Sequence, residues 1–307
     1  MSRDTQLSVV IPHLNEPGDL RRCLTALESQ RTDGVQFEII VVDNGSAALP
    51  SEVCADFPDV RLELERTPGP GPARNKGASA AQAPLLAFID CDCFAAPGWV
   101  RAIVDYMTEH PTIDFIGGDI RIEPASPGRL TAVEAYEDVF SYRAQLYVER
   151  YGFAATGNMA VRKSVFRAVG PFGGIGTMED TEWGKRATAL GYKIAYLAEA
   201  RVTTASCRSF RELAVRWDRH TAHEYREVEH HVFGIFRWLV SGALMAASPP
   251  LEIVRILRSD RVTGLRMAAA AFACLTRVRL YRARRMFQLA LRDTTRDTVG
   301  RWNRGNS

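Results

Sequence analysis

Asp90 and Asp92, separated by a single cysteine, stand at the end of the apolar run Leu85-Leu86-Ala87-Phe88-Ile89. Ionised acids seldom adjoin buried chain unless they are paired or hold a cation. The run is short, wholly apolar and preceded by a proline, so it reads as a buried strand. The carboxyl end of such a strand is where open α/β sheets bind ligands. Two carboxylates there suit Mg²⁺ or Mn²⁺ shared with a phosphorylated ligand. A solvated loop can also read Asp-x-Asp, so the surrounding chain has to decide. Arg74 follows the loop Thr67-Pro68-Gly69-Pro70-Gly71-Pro72 at an expected helix start. An arginine there can pair with diphosphate oxygens, with Lys76 as a weaker candidate, and a solvated helix face is the other reading. Gly69 and Gly71 would allow the backbone close to a ligand. Asp43 is an acceptor at another strand end, or the cap of a turn with Asn44-Gly45.

These residues need a frame. Residues 7–11 read as a strand stopped by Pro12, and Pro17 opens a helix with Leu20, Cys23, Leu24 and Leu27 on one face. Further strands are expected at 37–42 and 60–64, with a helix between them to about 57. A helix over 73–81 then leads into the strand carrying Asp90 and Asp92. Residues 99–108 form an amphipathic helix, and 113–117 and 119–123 read as strands broken by Gly117-Gly118. This alternation predicts an α/β fold with a mainly parallel sheet covered on both faces. Beyond Pro127 the pattern changes. A long helix is expected over 130–149, irregular chain over 152–161, and a short helix over 164–169. A helix opens at Glu179-Asp180 and closes at Gly191, and a strand spans 193–197. A charged helix follows from 210 to about 231. Apolar, arginine-studded helices then run to about 291, broken at Ser248-Pro249-Pro250.

Five spaced motifs fall in one order: Ile11-Pro12-His13-Leu14-Asn15-Glu16, Val42-Asp43-Asn44-Gly45-Ser46, Ala73-Arg74-Asn75-Lys76-Gly77, Asp90-Cys91-Asp92 and Met178-Glu179-Asp180-Thr181-Glu182-Trp183. Over residues 7–219 this order resembles glycosyltransferase family 2, inverting enzymes of the Rossmann-like GT-A fold. The resemblance implies transfer of a sugar from a nucleotide-diphosphate donor, a UDP-sugar foremost, to a hydroxyl acceptor with Mn²⁺ or Mg²⁺. Asp43 would then bond the base, and Pro12, Asn15 and Glu16 would shape the nucleotide wall. Asp92 would ligate the metal directly, with Asp90 on the ribose or on metal-bound water. Asp180 would be the general base, kept ionised by its helix N-terminus, although a first-turn acid also suits an ordinary cap. Glu179 would orient sugar hydroxyls, Trp183 would serve as a sugar platform or as core, and Asn158 would touch the donor sugar or the acceptor. One departure stands out. Family members often carry a metal-completing histidine where this chain reads Ala200-Arg201-Val202-Thr203-Thr204. Thr204 occupies the expected position, which puts the third protein ligand in doubt. His220 and His223 are substitutes on what reads as a solvated helix.

The 307 residues suffice for one large or two smaller domains, divided in this reading into a transferase domain over 1–220, its nucleotide half ending near 125, and a helical region over 221–307. The net charge is only +3, and no nucleic-acid partner is expected. From Leu251 to Ser307 there are 13 arginines against four acids, a local +9. With aromatics and apolar helices, that charge points to an anionic membrane surface, with a protein-packed lid or dimer contact as the alternative. A glycan or lipid-linked acceptor would account for it. The six cysteines form no C-x-x-C pair and read as reduced thiols. With no apolar signal core at the start, the expected location is cytoplasmic and peripheral at the inner membrane face. Two rival functions remain open at this point: a nucleotidyltransferase using the same aspartates, and a non-catalytic membrane adaptor with a degenerate donor site.

Overall fold

A computed structural model describes residues 5–126, 130–228, 231–259 and 261–291. Arg292, Arg296, Arg301 and Arg304 of the basic segment lie outside the described residues. The chain begins with β1 (Leu7–His13), α1 (Pro17–Glu28), β2 (Phe37–Asp43), α2 (Ser51–Ala55), β3 (Val60–Leu64), α3 (Pro70–Ala80) and β4 (Leu85–Ile89). It continues with β5 (Cys93–Ala95), α4 (Trp99–Glu109), β6 (Phe115–Glu123), α5 (Ala132–Phe140), α6 (Ala144–Tyr151), β7 (Asn158–Arg162), α7 (Lys163–Val169), α8 (Glu179–Ala189) and β8 (Ile194–Ala205). The last described helices are α9 (Phe210–Arg226), α10 (Val232–Ala247), α11 (Ile253–Arg258) and α12 (Leu265–Leu291).

The eight strands form one sheet in the order β3-β2-β1-β4-β7-β6-β8-β5. The pairs β1–β2, β1–β4 and β2–β3 are parallel, whereas β4–β7, β6–β7 and β5–β8 are antiparallel. The sheet is therefore mixed, with the parallel half where the alternation predicted it. β1 and β4 are buried along their whole length and β2 nearly so, as unbroken apolar runs covered on both faces must be. The register puts His13 beside Asp43 at the carboxyl edge, so β1 runs one residue past Pro12.

Several expectations change. The helix holding Arg74 begins at Pro70, with Pro at its first position as helix starts prefer, so Arg74 lies one turn inside it. Gly71 is in that helix, and a Cβ there would meet the Gly173 carbonyl oxygen at 2.0 Å, so it serves packing rather than a ligand. Gly117 and Gly118 do not break β6. A Cβ on Gly118 would strike the Ala200 carbonyl at 2.1 Å and the Asn158 amide at 2.4 Å, so that glycine permits close packing inside a continuous strand. The helix between β2 and β3 is a short piece, Ser51–Ala55. The expected irregular stretch contains β7, the final strand extends to Ala205, and the expected long helix divides into α5 and α6 around Ser141–Arg143.

The chain forms two compact units, Met1–Arg121 with Arg143–Thr204, and Ile122–Tyr142 with Ala205–Ser307. The division thus falls at 204 rather than 220, and α5 goes with the C-terminal helices. The reason is apolar packing: Tyr136 and Val139 of α5 share a core with Leu213, Leu275 and Val278. The first unit's core gathers Phe88, Phe115, Phe166, Phe172 and Trp183.

Candidate active site

In the first unit, the loops after β1, β2 and β4 are tied together by side chains. Asn15 adopts φ +58°, a left-handed conformation that asparagine tolerates. Its amide nitrogen donates to Ser46 Oγ at 2.9 Å, and its Oδ1 accepts from the Ala47 amide at 2.8 Å. The Glu16 amide donates to His13 Nε2 at 3.2 Å, which leaves the proton on Nδ1 to be donated to Asp43 Oδ1 at 3.0 Å. Asp43 Oδ2 accepts from the amides of Gly45 and Ser46. Burial works against the Asp43 charge, but the bonds from Ser46, His13 and Gly45 outweigh it and hold the carboxyl below its ordinary range. The turn-capping and base-binding readings of Asp43 are therefore compatible only through oxygens already in use. Asn44, which the motif order left without a role, accepts from the Gly69 amide at 2.7 Å and donates to the carbonyls of Glu65 and Thr67. It fixes the Pro/Gly loop against β2.

Arg74 is the centre of the arrangement. It is almost fully buried, and it donates from Nη2 to Asp90 Oδ1 at 2.5 Å and from Nη1 to Glu179 Oε1 at 3.0 Å. One guanidinium thus joins the end of β4 to the start of α8. Burial opposes its charge, yet Asp90 and Glu179 outweigh burial and hold it more firmly protonated. Its Nε has no hydrogen-bond partner. The solvated-face reading of Arg74 is corrected, since the side chain is buried, and both its Nη atoms are bonded to site carboxylates.

Asp92 is the opposite case. Burial, then the charges of Asp90, Glu16 and Asp19, push its carboxyl up to about 7. Cys91 Sγ donates to Glu16 Oε2 at 3.2 Å, bringing the loop after β1 against that after β4. Arg74 offsets the charge of Asp90, but Asp92 still sits buried beside Asp90, Glu16 and Asp19, and a divalent cation suits that surplus of negative charge. Among the described residues no cluster of three or more ligand side chains is arranged around one point. Asp90 and Asp92 would hold the ion together with ligand and water oxygens, as suits Mg²⁺ or Mn²⁺. Gly157, opposite, gives Asp90 its room: a Cβ there would lie 3.0 Å from Oδ2.

Asp180 begins α8 beside Glu179. Burial and then the Glu179 charge raise its carboxyl to about 6, against the opposing pull of the Thr181 amide and Arg74. Desolvation thus outweighs the pull of the helix N-terminus on the carboxyl's affinity for a proton, although at about 6 the group is still ionised at neutral pH, as expected. Three other expectations are corrected. Trp183 is fully buried, with Nε1 donating to the Gly170 carbonyl at 2.8 Å, so it is core and not a sugar platform. Asn158 is buried and saturated, accepting from Trp99 Nε1 and donating to the carbonyls of Asp119 and Ala200. It braces β6, β7 and β8 rather than meeting a sugar. His220, in the second unit, is not a solvated histidine: burial, then Arg219 and Arg282, lower it to about 3. Thr204 is buried opposite Cys93 in the β5–β8 ladder and bonds its thiol.

The model of glycosyl transferase family 2 matches residues 8–170, more than half of the chain and all of the strand-end motifs but the last. The chain belongs to glycosyl transferase family 2. This family-2 member is 29% identical over 283 residues to glycosyltransferase AglE of Haloferax volcanii, covering 87% of the chain and 88% of AglE. It is 37% identical over 103 residues to validoxylamine A glucosyltransferase of Streptomyces hygroscopicus subsp. limoneus, spanning 32% of the chain and only 23% of that protein. Its fold is that of a mannosyltransferase from Pyrobaculum calidifontis solved with GDP-Man and Mn²⁺, at TM-score 0.61 and 15% identity over 95% of this chain and 89% of the other. Glucosyl-3-phosphoglycerate synthase from Mycobacterium tuberculosis, solved with Mg²⁺ and UDP, aligns at TM-score 0.50 and 20% identity over 71% of this chain and 78% of the other. The family-2 chain is thus a GT-A glycosyltransferase acting on nucleotide-sugar donors, which sets aside the nucleotidyltransferase and adaptor readings.

Proposed function

We propose that the enzyme transfers a sugar with inversion from a UDP-sugar to a hydroxyl of a glycan or lipid-linked acceptor, with a divalent cation, at the inner face of a membrane. The observation that carries this reading is Arg74 joining Asp90 to Glu179, which brings a cation-seeking edge and an acid-led helix into one site. Asp43, with Pro12, Asn15 and Glu16 around it, receives the nucleotide. Asp90 and Asp92 would hold the cation, whose charge would offset that of the diphosphate. Arg74 positions both carboxylates and adds its own positive charge at the leaving group's side. Asp180 takes the acceptor proton. Its carboxyl, raised to about 6, is ionised at neutral pH yet basic enough to be an effective acceptor. Glu179, oriented by Arg74, is left to meet sugar hydroxyls. Inversion follows if the hydroxyl activated by Asp180 attacks the anomeric carbon in one displacement, opposite the leaving diphosphate. The arginine-rich segment after Leu251 supports the membrane location and a membrane-proximal acceptor.

The test is calorimetric titration with UDP, GDP and dTDP, each with Mn²⁺ and with EDTA. UDP binding that requires Mn²⁺ and disappears in Asp92→Ala is the expected result. Metal-independent binding would remove the cation from the reading, and a preference for GDP or dTDP would replace the donor.

A further inference from the structure

We propose that α10 and the turn of helix after it, α11, form a monotopic anchor that lies in the plane of an anionic bilayer, sunk into one leaflet without crossing it. This rests on the membrane location proposed above and adds the segment and its mode. The sequence pointed equally to the two apolar stretches that became α10 and α12, and the structure separates them. α12 buries Ala271, Cys274, Leu275, Val278, Met286 and Leu289 in the second unit's cores, so it is chiefly a scaffold, with Leu265, Leu280, Phe287 and Leu291 its exposed apolar side chains.

α10 is apolar on nearly every side, with Arg237 its one charged residue. Such a helix is expected to be buried or in lipid. Only one stripe is buried. Gly234, Trp238 and Gly242 turn inward, and Trp238 Nε1 donates to the Met286 carbonyl of α12 at 2.8 Å. The opposite stripe is exposed at helical spacing: Phe233 63%, Phe236 59%, Val240 41% and Leu244 66%. After Pro249-Pro250 the exposure continues with Leu251 82%, Val254 54% and Leu257 59%. Large apolar side chains in contiguous exposed stripes mark a docking surface.

The mode follows from length. Sixteen residues of α10 span about 24 Å, short of the roughly 30 Å of hydrocarbon, and among the described residues no single helix is long and apolar enough to cross. The pair that could do so together is bent by 58°. Charge selects the occupant. Arg237, Arg255 and Arg258 are exposed along this face, and the one acid from Val232 to Ser259 is Glu252, already paired with Arg255 and Arg279. Two copies of this face would set arginine against arginine, whereas anionic headgroups complement it. Phe233 and Phe236 are side chains that interfacial helices sink into the acyl boundary.

The experiment is co-sedimentation of the full chain with phosphatidylcholine vesicles, with and without phosphatidylglycerol. Comparison variants are Phe233→Ser/Phe236→Ser/Leu244→Ser and Arg237→Glu/Arg258→Glu. Leu190→Ser, an exposed leucine of the first unit, is the control. Binding of the native chain to anionic vesicles, weakened roughly tenfold or more by the triple variant and salt-sensitively by the arginine pair, is the expected result. UDP–Mn²⁺ binding should be unchanged in every variant, which shows that the first unit remains folded. If native chain binds and the triple variant binds equally, the anchor lies elsewhere and only the assignment to α10–α11 falls. If native chain ignores all vesicles, the membrane location falls as well. A native dimer that the triple variant dissociates, without vesicle binding, would make the face a contact between copies and overturn the anchor.

Discussion

The loop after β2 and the loop after β4 both present an acid at the carboxyl edge of the same sheet, and they treat its charge in opposite ways. Asp43 is buried among donors, and its carboxyl is held below the ordinary range. Asp92 is enclosed among acids, and its carboxyl is pushed up to about 7. Burial acts in the same direction on both, so the neighbours decide the outcome. The first acid is complete within the protein, whereas the second is incomplete until something positive joins it. Asp180 falls with Asp92, because burial and Glu179 raise it. Charge that the fold leaves unsatisfied collects at the proposed reaction centre, and charge that the fold satisfies collects where a base would be gripped.

The sharpest way to probe this contrast is to neutralise the acids one at a time. Asp180→Asn should lower kcat by roughly 10²- to 10⁴-fold, as loss of a general base does, while leaving UDP–Mn²⁺ affinity unchanged. In native enzyme the rate should fall as pH drops through about 6, the value to which Asp180 is raised. A pH profile without that acidic limb would exclude Asp180 as the base. Next in size, Asp43→Asn should cost about 2 kcal/mol in urea unfolding, because it removes the charged acceptor of the His13, Gly45 and Ser46 bonds. Asp92→Asn in EDTA should do the reverse and stabilise by on the order of 1 kcal/mol, since it relieves repulsion from Asp90, Glu16 and Asp19. Equal signs for these two variants would break the comparison.

The smallest effect is the pH dependence of stability without metal, and its sign differs between the two loops. The Asp43 pKa is lower in the fold than in the unfolded chain, so its contribution is present at neutral pH and is lost as pH falls through the folded value. The Asp92 pKa is higher in the fold, so its contribution is present in acid and is lost as pH rises from about 4 to about 7. Thermal melts of Asp92→Asn should therefore lose the decline that native protein shows over that interval. Added Mn²⁺ should flatten the native curve.

Much of this was legible in the chain itself. The apolar run 85–89 could only be a buried strand, and its acids could only emerge at its edge. The alternation of strands and helices to residue 89 follows from local patterning and from the proline that starts a helix at Pro17, whereas the start at Pro70 was hidden in what read as a Pro/Gly loop. Five motifs in one order were enough to identify the family. These features depend on neighbours in sequence, which a reader of the sequence can see.

Other features depended on partners distant in sequence. Arg74 and Glu179 are 105 positions apart, and nothing local says that one guanidinium holds two site carboxylates. Trp183 and Asn158 carried suitable chemistry at suitable places, yet the aromatic core and the carbonyls of β6 and β8 claimed them. Gly117-Gly118 looked like a break because glycine can turn, but close packing by other strands required glycine inside one strand. α10 and α12 both read as apolar helices, and only the second unit's packing shows that α12 is the more deeply buried of the two while α10 keeps most of its large apolar side chains uncovered. The sequence by itself determined which groups could do chemistry and which segments must be buried, because type and periodicity are local. The tertiary structure alone decided which acids have their charge satisfied and which apolar faces have cover, because burial and pairing are set by contacts made across the whole chain.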